Sequence, residues 1–114
     1  MKGAQVMERK LNFNAFYVPA QHKVYLCWEK GNGLTDYTVY KDDKILVLSN
    51  DNLFKRPQEF DIDHWTELFR PDTRNWLCYK DENIQHFQSY DYYVIGTGED
   101  NNKAESMTIT VNVQ

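Results

Sequence analysis

The chain has 114 residues and a formal net charge of -4, from 13 basic and 17 acidic side chains; this length closes one hydrophobic core in one domain, with no metal or disulfide obligatory. Hydrophobic residues at 41% and aromatics at 15% exclude a disordered tail, and eight Tyr, six Phe and three Trp suit pleated, half-buried surfaces better than helices. Lys and Arg are scattered, and the longest aliphatic run is Ile45–Leu48, so neither nucleic-acid binding nor membrane insertion is expected.

Residues 1–10 are polar and aperiodic and read as a flexible lead-in without an apolar signal segment; the domain proper is expected over 11–114. A first strand over Asn12–Tyr17 turns Phe13 away from Asn12 and Asn14, and ends at Pro19, which cannot donate to a ladder. In His22–Glu29, Val24, Leu26 and Trp28 alternate with Tyr25, Cys27 and Glu29, the signature of a half-buried strand. K-G-N-G-L-T over residues 30–35 is a turn signal. Asp36–Lys41 and Lys44–Leu48 flank Asp42-Asp43 and read as a hairpin.

Residues 50–75 interrupt the regular spacing of strands and mark an insertion or functional loop. Within it F-D-I-D-H-W-T-E-L-F predicts one short helix near 61–70: Asp61 caps, Ile62, Trp65, Leu68 and Phe69 recur at helical spacing, Phe60 staples onto Trp65, and Pro71 ends it. Asn75–Lys80 alternates Leu77 and Tyr79 with Trp76 and Cys78. Tyr90–Thr97 and Ala104–Val113 complete the set, joined by G-E-D-N-N-K, with Met107, Ile109, Val111 and Val113 on one face of the last strand. These strands predict an all-β fold, a seven-stranded antiparallel sandwich carrying one inserted helix.

V-Y-L-C-W-E at Val24–Glu29, Y-T-V-Y-K-D-D-K-I at Tyr37–Ile45, Y-K-D at Tyr79–Asp81, Y-D-Y-Y-V-I-G at Tyr90–Gly96 and N-K-A-E-S at Asn102–Ser106, taken in order, resemble the fibronectin type III domain family, an immunoglobulin-like β-sandwich. The resemblance spans residues 11–114 without the insertion. It implies that Trp28 is the core tryptophan of the second strand, and that Tyr90 forms a tyrosine corner, its hydroxyl bonded to upstream backbone. Family connections are shorter than residues 50–75, and the chain has no Arg-Gly-Asp tripeptide, so the integrin-binding use of some members is not carried over. The placing of Trp28 directly after Cys27, and of Trp76 two before Cys78, disfavours an antibody-type inter-sheet bridge. The resemblance makes the strands of Cys27 and Cys78 neighbours, with both side chains facing outward. A surface cross-strand disulfide, contributing about 4 kcal/mol by chain entropy, is one reading and two free thiols the other.

Nothing in the spacing brings a cysteine to His22, His64 or His86 for nucleophilic catalysis. Asp61, Asp63, His64 and Glu67 fail the calcium-loop pattern at Trp65 and Thr66, and helix capping already explains the acids. Glu99, Asp100, Asn101 and Asn102 read as turn chemistry. No catalytic, cofactor or metal residue is therefore expected. Phe54, Phe60, Trp65 and Phe69 either cover the sandwich or form a partner contact with Trp65 as anchor.

The expected function is a non-catalytic protein-binding or spacer module of a larger cell-surface, secreted or virion assembly, whose partner is another protein or a neighbouring domain of the same polypeptide. A homo-oligomeric structural subunit of phage or capsid type is the alternative, and a small metal-binding enzyme using the inserted helix is a third.

Overall fold

The computed structural model describes residues 9–56 and 75–114. The helix expected near 61–70, with Phe60, Trp65 and Phe69, lies outside the described residues. Within them the chain is all-β apart from two short 3-10 turns, and its strands are β1 Arg9–Leu11, β2 Phe13–Val18, β3 Lys23–Glu29, β4 Leu34–Lys41, β5 Lys44–Asn50, β6 Trp76–Asp81, β7 Ser89–Gly98, β8 Lys103–Ser106 and β9 Ile109–Asn112. One sheet has the order β2-β3-β6; the other runs β1-β8-β7-β4-β5, with β9 also paired to β7. Two sheets of this kind are compatible with a β-sandwich.

The described residues hold nine strands where the sequence predicted seven, for two physical reasons. Arg9–Leu11 pairs parallel with β8, so the ladder starts inside the segment read as a lead-in, and the sheet is not wholly antiparallel. The last predicted strand is broken into β8 and β9 by one extra residue: Ile95 faces Glu105, yet Tyr92 faces Ile109. At the break the Ser106 hydroxyl accepts from the Val94 amide at 2.9 Å and donates to the Met107 carbonyl at 2.9 Å. A bulge of this kind flips side-chain parity. Ala104 and Ser106 point inward before it, Val111 and Val113 after it, and Met107, expected with the inward set, stands 64% exposed.

In the small sheet the expected inward residues are apolar, but β3, expected to be half-buried, is buried on both faces, Tyr25 and Cys27 included, because its outward side carries apolar cover of its own. Phe13 sits opposite Trp28, Ala15 opposite Leu26, and Leu77 opposite Trp28 on the far side, so one sheet presents a continuous apolar face. Tyr37, Val39, Tyr92 and Val94 of the second sheet complete the buried cluster. Each such burial contributes about 1.5–3 kcal/mol. Asp42 and Asp43 form the β4–β5 turn at φ 52° and 66°, the left-handed pair that matches hairpin twist. The Tyr90 hydroxyl accepts from the Gln85 backbone amide at 2.9 Å, an upstream backbone bond of the kind the resemblance implied. Glu99–Asn101 is a 3-10 turn with Asp100 and Asn101 at positive φ, which is turn chemistry.

Asp81 is the polar link between the sheets. Buried at the end of β6, its carboxylate accepts from Tyr92 Oη at 2.7 Å and from the Asn83 amide at 3.1 Å, and pairs with Lys41 Nζ at 2.8 Å. Lys41 also lies over the Tyr90 ring at 4.4 Å. Both oxygens of this buried carboxylate are partnered and its charge is paired, which is the condition for tolerating its desolvation.

Two outcomes follow. A methyl group at Gly98 would fall 1.8 Å from the Gly33 carbonyl oxygen, where Gly33 itself holds φ +79°, so Gly98→Ala should cost about 1–3 kcal/mol, read as a lower urea midpoint. The Tyr92 phenol is pushed well above its ordinary value of 10.0, by burial first and then by its hydrogen bond to Asp81. Because the native pKa is the higher one, stability is full below about pH 10 and falls as pH rises beyond it. Urea midpoints taken from pH 7 to pH 11 should show that fall. Tyr92→Phe should reduce its slope, leaving a remainder from Tyr79, also raised by burial and by Asp81.

Candidate functional site

The site begins where the insertion leaves and rejoins the sandwich. Asn50 caps a 3-10 turn over Asp51–Leu53, its side chain accepting from the Asn52 amide at 3.1 Å. That turn swings Phe54 inward, and the ring packs edge-on against Trp28 at 4.8 Å and against Tyr79 at 6.4 Å. Lys55 then exchanges both backbone hydrogen bonds with Cys78, at 2.6 and 3.2 Å. On the return side, the Lys30 amide donates to the Asn75 carbonyl at 2.6 Å. Both ends of the insertion are thus anchored at the β3–β6 end of one sheet.

The Cys78 amide and carbonyl point at Lys55, so across β3 and β6 Cys27 and Cys78 form a non-hydrogen-bonded pair, the arrangement that brings opposed residues closest. Their Cα atoms are 4.2 Å apart and the sulfurs are joined in a disulfide. Of the two open readings for these cysteines, the structure therefore contains the bridge. Its placement differs from expectation: the cysteines are 0% and 1% exposed, packed with Tyr25 and flanked by Phe16, Val18 and Trp76. Apolar side chains on the outward face of the small sheet give that face a core of its own.

Both thiols are consumed in the bridge, so neither is a nucleophile. The His22 and His86 rings lie 4.3 Å apart, tilted by 32°. His22 Nε2 lies 3.2 Å from the Ile84 carbonyl and Nδ1 3.0 Å from the Tyr17 hydroxyl, while His86 Nδ1 lies 2.6 Å from the Gln114 carbonyl. These bonds give the two rings a structural occupation. Asp61, Asp63, His64 and Glu67 lie outside the described residues. Among the described residues no group of three or more His, Cys, Asp or Glu side chains converges as metal ligands, and no helix is long and apolar enough to cross a membrane.

Of the aromatic contact candidates Phe54, Phe60, Trp65 and Phe69, the first is buried in the core and the others lie outside the described residues. Beside Phe54 opens a cleft of about 270 Å³, lined by Lys30, Asn52, Leu53, Phe54, Lys55, Arg56 and Leu77. Three cations and an amide meet there among the described residues. Sequence reading missed this cleft, because Lys30 is 25 positions from Lys55 and only the anchoring of both insertion ends brings them together. The available signal was the pair Lys55-Arg56 directly ahead of Pro57 at the edge of the insertion.

No protein-family model matches the chain, and no curated protein does. Solved structures similar in fold include the following three. A pectate lyase from Pectobacterium carotovorum matches at a TM-score of 0.56 and 12% identity, over 87% of this chain and 26% of that one. A Fn3-like protein from Clostridium thermocellum matches at 0.56 and 12%, over 93% of this chain and 90% of its own. A Family 28 exopolygalacturonase from Yersinia enterocolitica matches at 0.56 and 17%, over 93% of this chain and 20% of that one. The chain therefore spans about a quarter or less of the two enzymes. Their presence corrects the expectation that this chain is not an enzyme: sandwiches of this shape occur within catalytic chains, so fold gives no ground for excluding catalysis. At these identities the likeness is one of fold.

The bridge gives a direct expectation. Cys78→Ala in a Cys27→Ala background, which leaves no lone thiol, should lower unfolding free energy by about 2–4 kcal/mol, and dithiothreitol should lower the midpoint of the parent chain but not of the double variant.

Proposed function

We propose that this chain is a protein-binding or spacer module of a larger extracellular assembly, of fibronectin type III-like type in the narrower sense. The observation that carries this reading is the asymmetry of coverage: nearly all of this chain matches a small part, 26% and 20%, of two longer chains. The same shape also matches 90% of a Fn3-like protein. A sandwich that recurs both alone and inside longer chains behaves as a unit that folds by itself and is joined to others. The narrower family reading is supported by the order of the matched segments, by buried Trp28 and by the Tyr90 bond to upstream backbone. The buried disulfide supports an oxidising compartment.

A second reading, a homo-oligomeric structural subunit, is favoured by one observation. Strand β5 ends the larger sheet's order, with Ile45 57% and Leu48 70% exposed, and an apolar edge strand is a template for pairing with another copy. The bulge at Leu46, between the Val39–Val47 and Tyr40–Ile45 pairs, and Lys44 at its start work against it.

The module reading predicts crosslinks from this chain to a neighbouring domain or partner protein when its source is treated with a lysine-reactive reagent, and a monomer in solution. Light scattering across a hundredfold range of concentration decides between the readings. A constant monomer mass agrees with the module, whereas a mass that doubles with concentration and reverts in Leu48→Lys supports the oligomer.

A further inference from the structure

We propose that the end of the sandwich remote from the insertion binds a neutral pyranoside chain, with the ring of Phe87 as the platform on which one sugar stacks. This goes beyond the module reading, which assigns no ligand.

Phe87 combines two properties that the core does not explain. Its backbone is left-handed at φ 66°, a conformation that glycine or asparagine accepts and a bulky side chain resists. Its ring is 88% exposed, so burial does not offset that strain. The backbone is nevertheless locked: the Phe87 amide donates to the Val113 carbonyl, and the Val113 amide to the Gln88 carbonyl, each at 2.8 Å. The fold thus holds an aromatic ring out in water at a defined place, with no loop left to order on binding.

Three segments meet around that ring. The His86 ring lies 6.1 Å from it, inclined by 48°, while His86 Nδ1 bonds the Gln114 carbonyl at 2.6 Å and His22 Nε2 bonds the Ile84 carbonyl at 3.2 Å. A carbonyl only accepts, so the neutral His86 ring carries its proton on Nδ1 and offers Nε2 as an acceptor. Residues 18–22, 84–89 and 111–114 contain no Asp, Glu, Lys or Arg, in a chain of which 26% is charged. At the border, Lys23 and Glu82 pair with each other at 3.3 Å. Gln85 and Gln88 stand exposed on either side of His86 and Phe87, and a side-chain amide both donates and accepts. Strand β3 starts at this pole and ends at Glu29, next to the Lys30 amide that meets Asn75. The insertion therefore joins the sandwich at the other end.

This chemistry selects the ligand. A pyranose with equatorial hydroxyls combines a flat face of C–H groups, which fits a phenyl ring, with a rim of uncharged hydroxyls that donate and accept, which fits the two amides and the imidazole acceptor. A nucleic acid needs cations, and none of the three segments supplies one. An apolar peptide would leave the flanking amides without partners wherever the contact excludes water.

The test is a titration of cellotetraose into the isotope-labelled full chain, following backbone amides. The expected result is a set of shifts confined to residues 84–89 and 113, insensitive to added salt because the ligand is uncharged. Binding should be at least about tenfold weaker in Phe87→Ala and about two- to tenfold weaker in Gln88→Ala. Phe87→Trp should keep the affinity and Phe87→Leu should lose it, since leucine is apolar but not flat. Each variant's amide spectrum should retain the dispersion of the parent, because both side chains are exposed. The proposal is overturned if cellotetraose moves none of these amides at millimolar concentration, or if Phe87→Leu binds as the parent does. It is equally overturned if an uncharged leucine-glutamine peptide shifts the same amides as strongly, which would make the pole a protein contact. None of these results alters the crosslinks that test the module reading.

Discussion

Trp28 is the contact on which the remaining architecture rests. Fully buried, it meets Tyr37 of the opposite sheet at 5.8 Å and Phe54 at 4.8 Å, and it is paired laterally with Phe13 and Leu77. One indole thus ties three strands of its own sheet, the facing sheet and the first residues of the insertion. Remove that side chain and the volume it vacates would be shared by all of them, which is why large aromatic truncations in cores rank among the most destabilising changes. Because Phe54 leans on it, the geometry of the cationic cleft is inherited from the core.

The small sheet meets a difficulty that the larger one does not. With three strands and apolar groups on both faces, it needs cover on its outward side as well. Tyr25, stacked on Phe16 at 5.9 Å, joins Trp76 and Val18 around the disulfide, and the bridge fixes the register of β3 against β6 at the place where the insertion departs. Register matters here because a slip of one residue would carry Trp28 to the outside. The sulfur link, the Lys55 bridge and the Lys30–Asn75 bond all act on the same end of the molecule. A long connection is tolerated at modest entropic cost when its ends are already held close.

Likeness of fold reaches less far than site chemistry. The same two-sheet shape is found in a Fn3-like protein and within a pectate lyase and an exopolygalacturonase, so the scaffold is neutral between carrying a catalyst, binding a ligand and separating domains. The local feature this chain adds to the scaffold is a cleft with Lys30, Lys55 and Arg56 among its described lining, set beside the ends of the insertion.

Period-two alternation was enough to place most strands, because an inward residue must be apolar and its neighbours need not be; it put Val24, Leu26 and Trp28 on one face, but gave no sign that Tyr25 and Cys27 on the other would be buried too. The turn at Asp42-Asp43 was legible for a similar reason, since few side chains accept left-handed backbone. The break at Ser106–Met107 was not, because a bulge keeps the composition of a strand and changes only which amide meets which partner, here through one hydroxyl. Nor was the parallel pairing of Arg9–Leu11 with β8, or the meeting of Lys30 with Lys55 and Arg56, legible in the chain. Alternation is a property of neighbours along the chain, and so the sequence by itself determined an all-β body and its inward faces. The order of the strands, the sulfur bridge and the cleft depend on distances between residues far apart in sequence, and only the closing of the two sheets around Trp28 decided them.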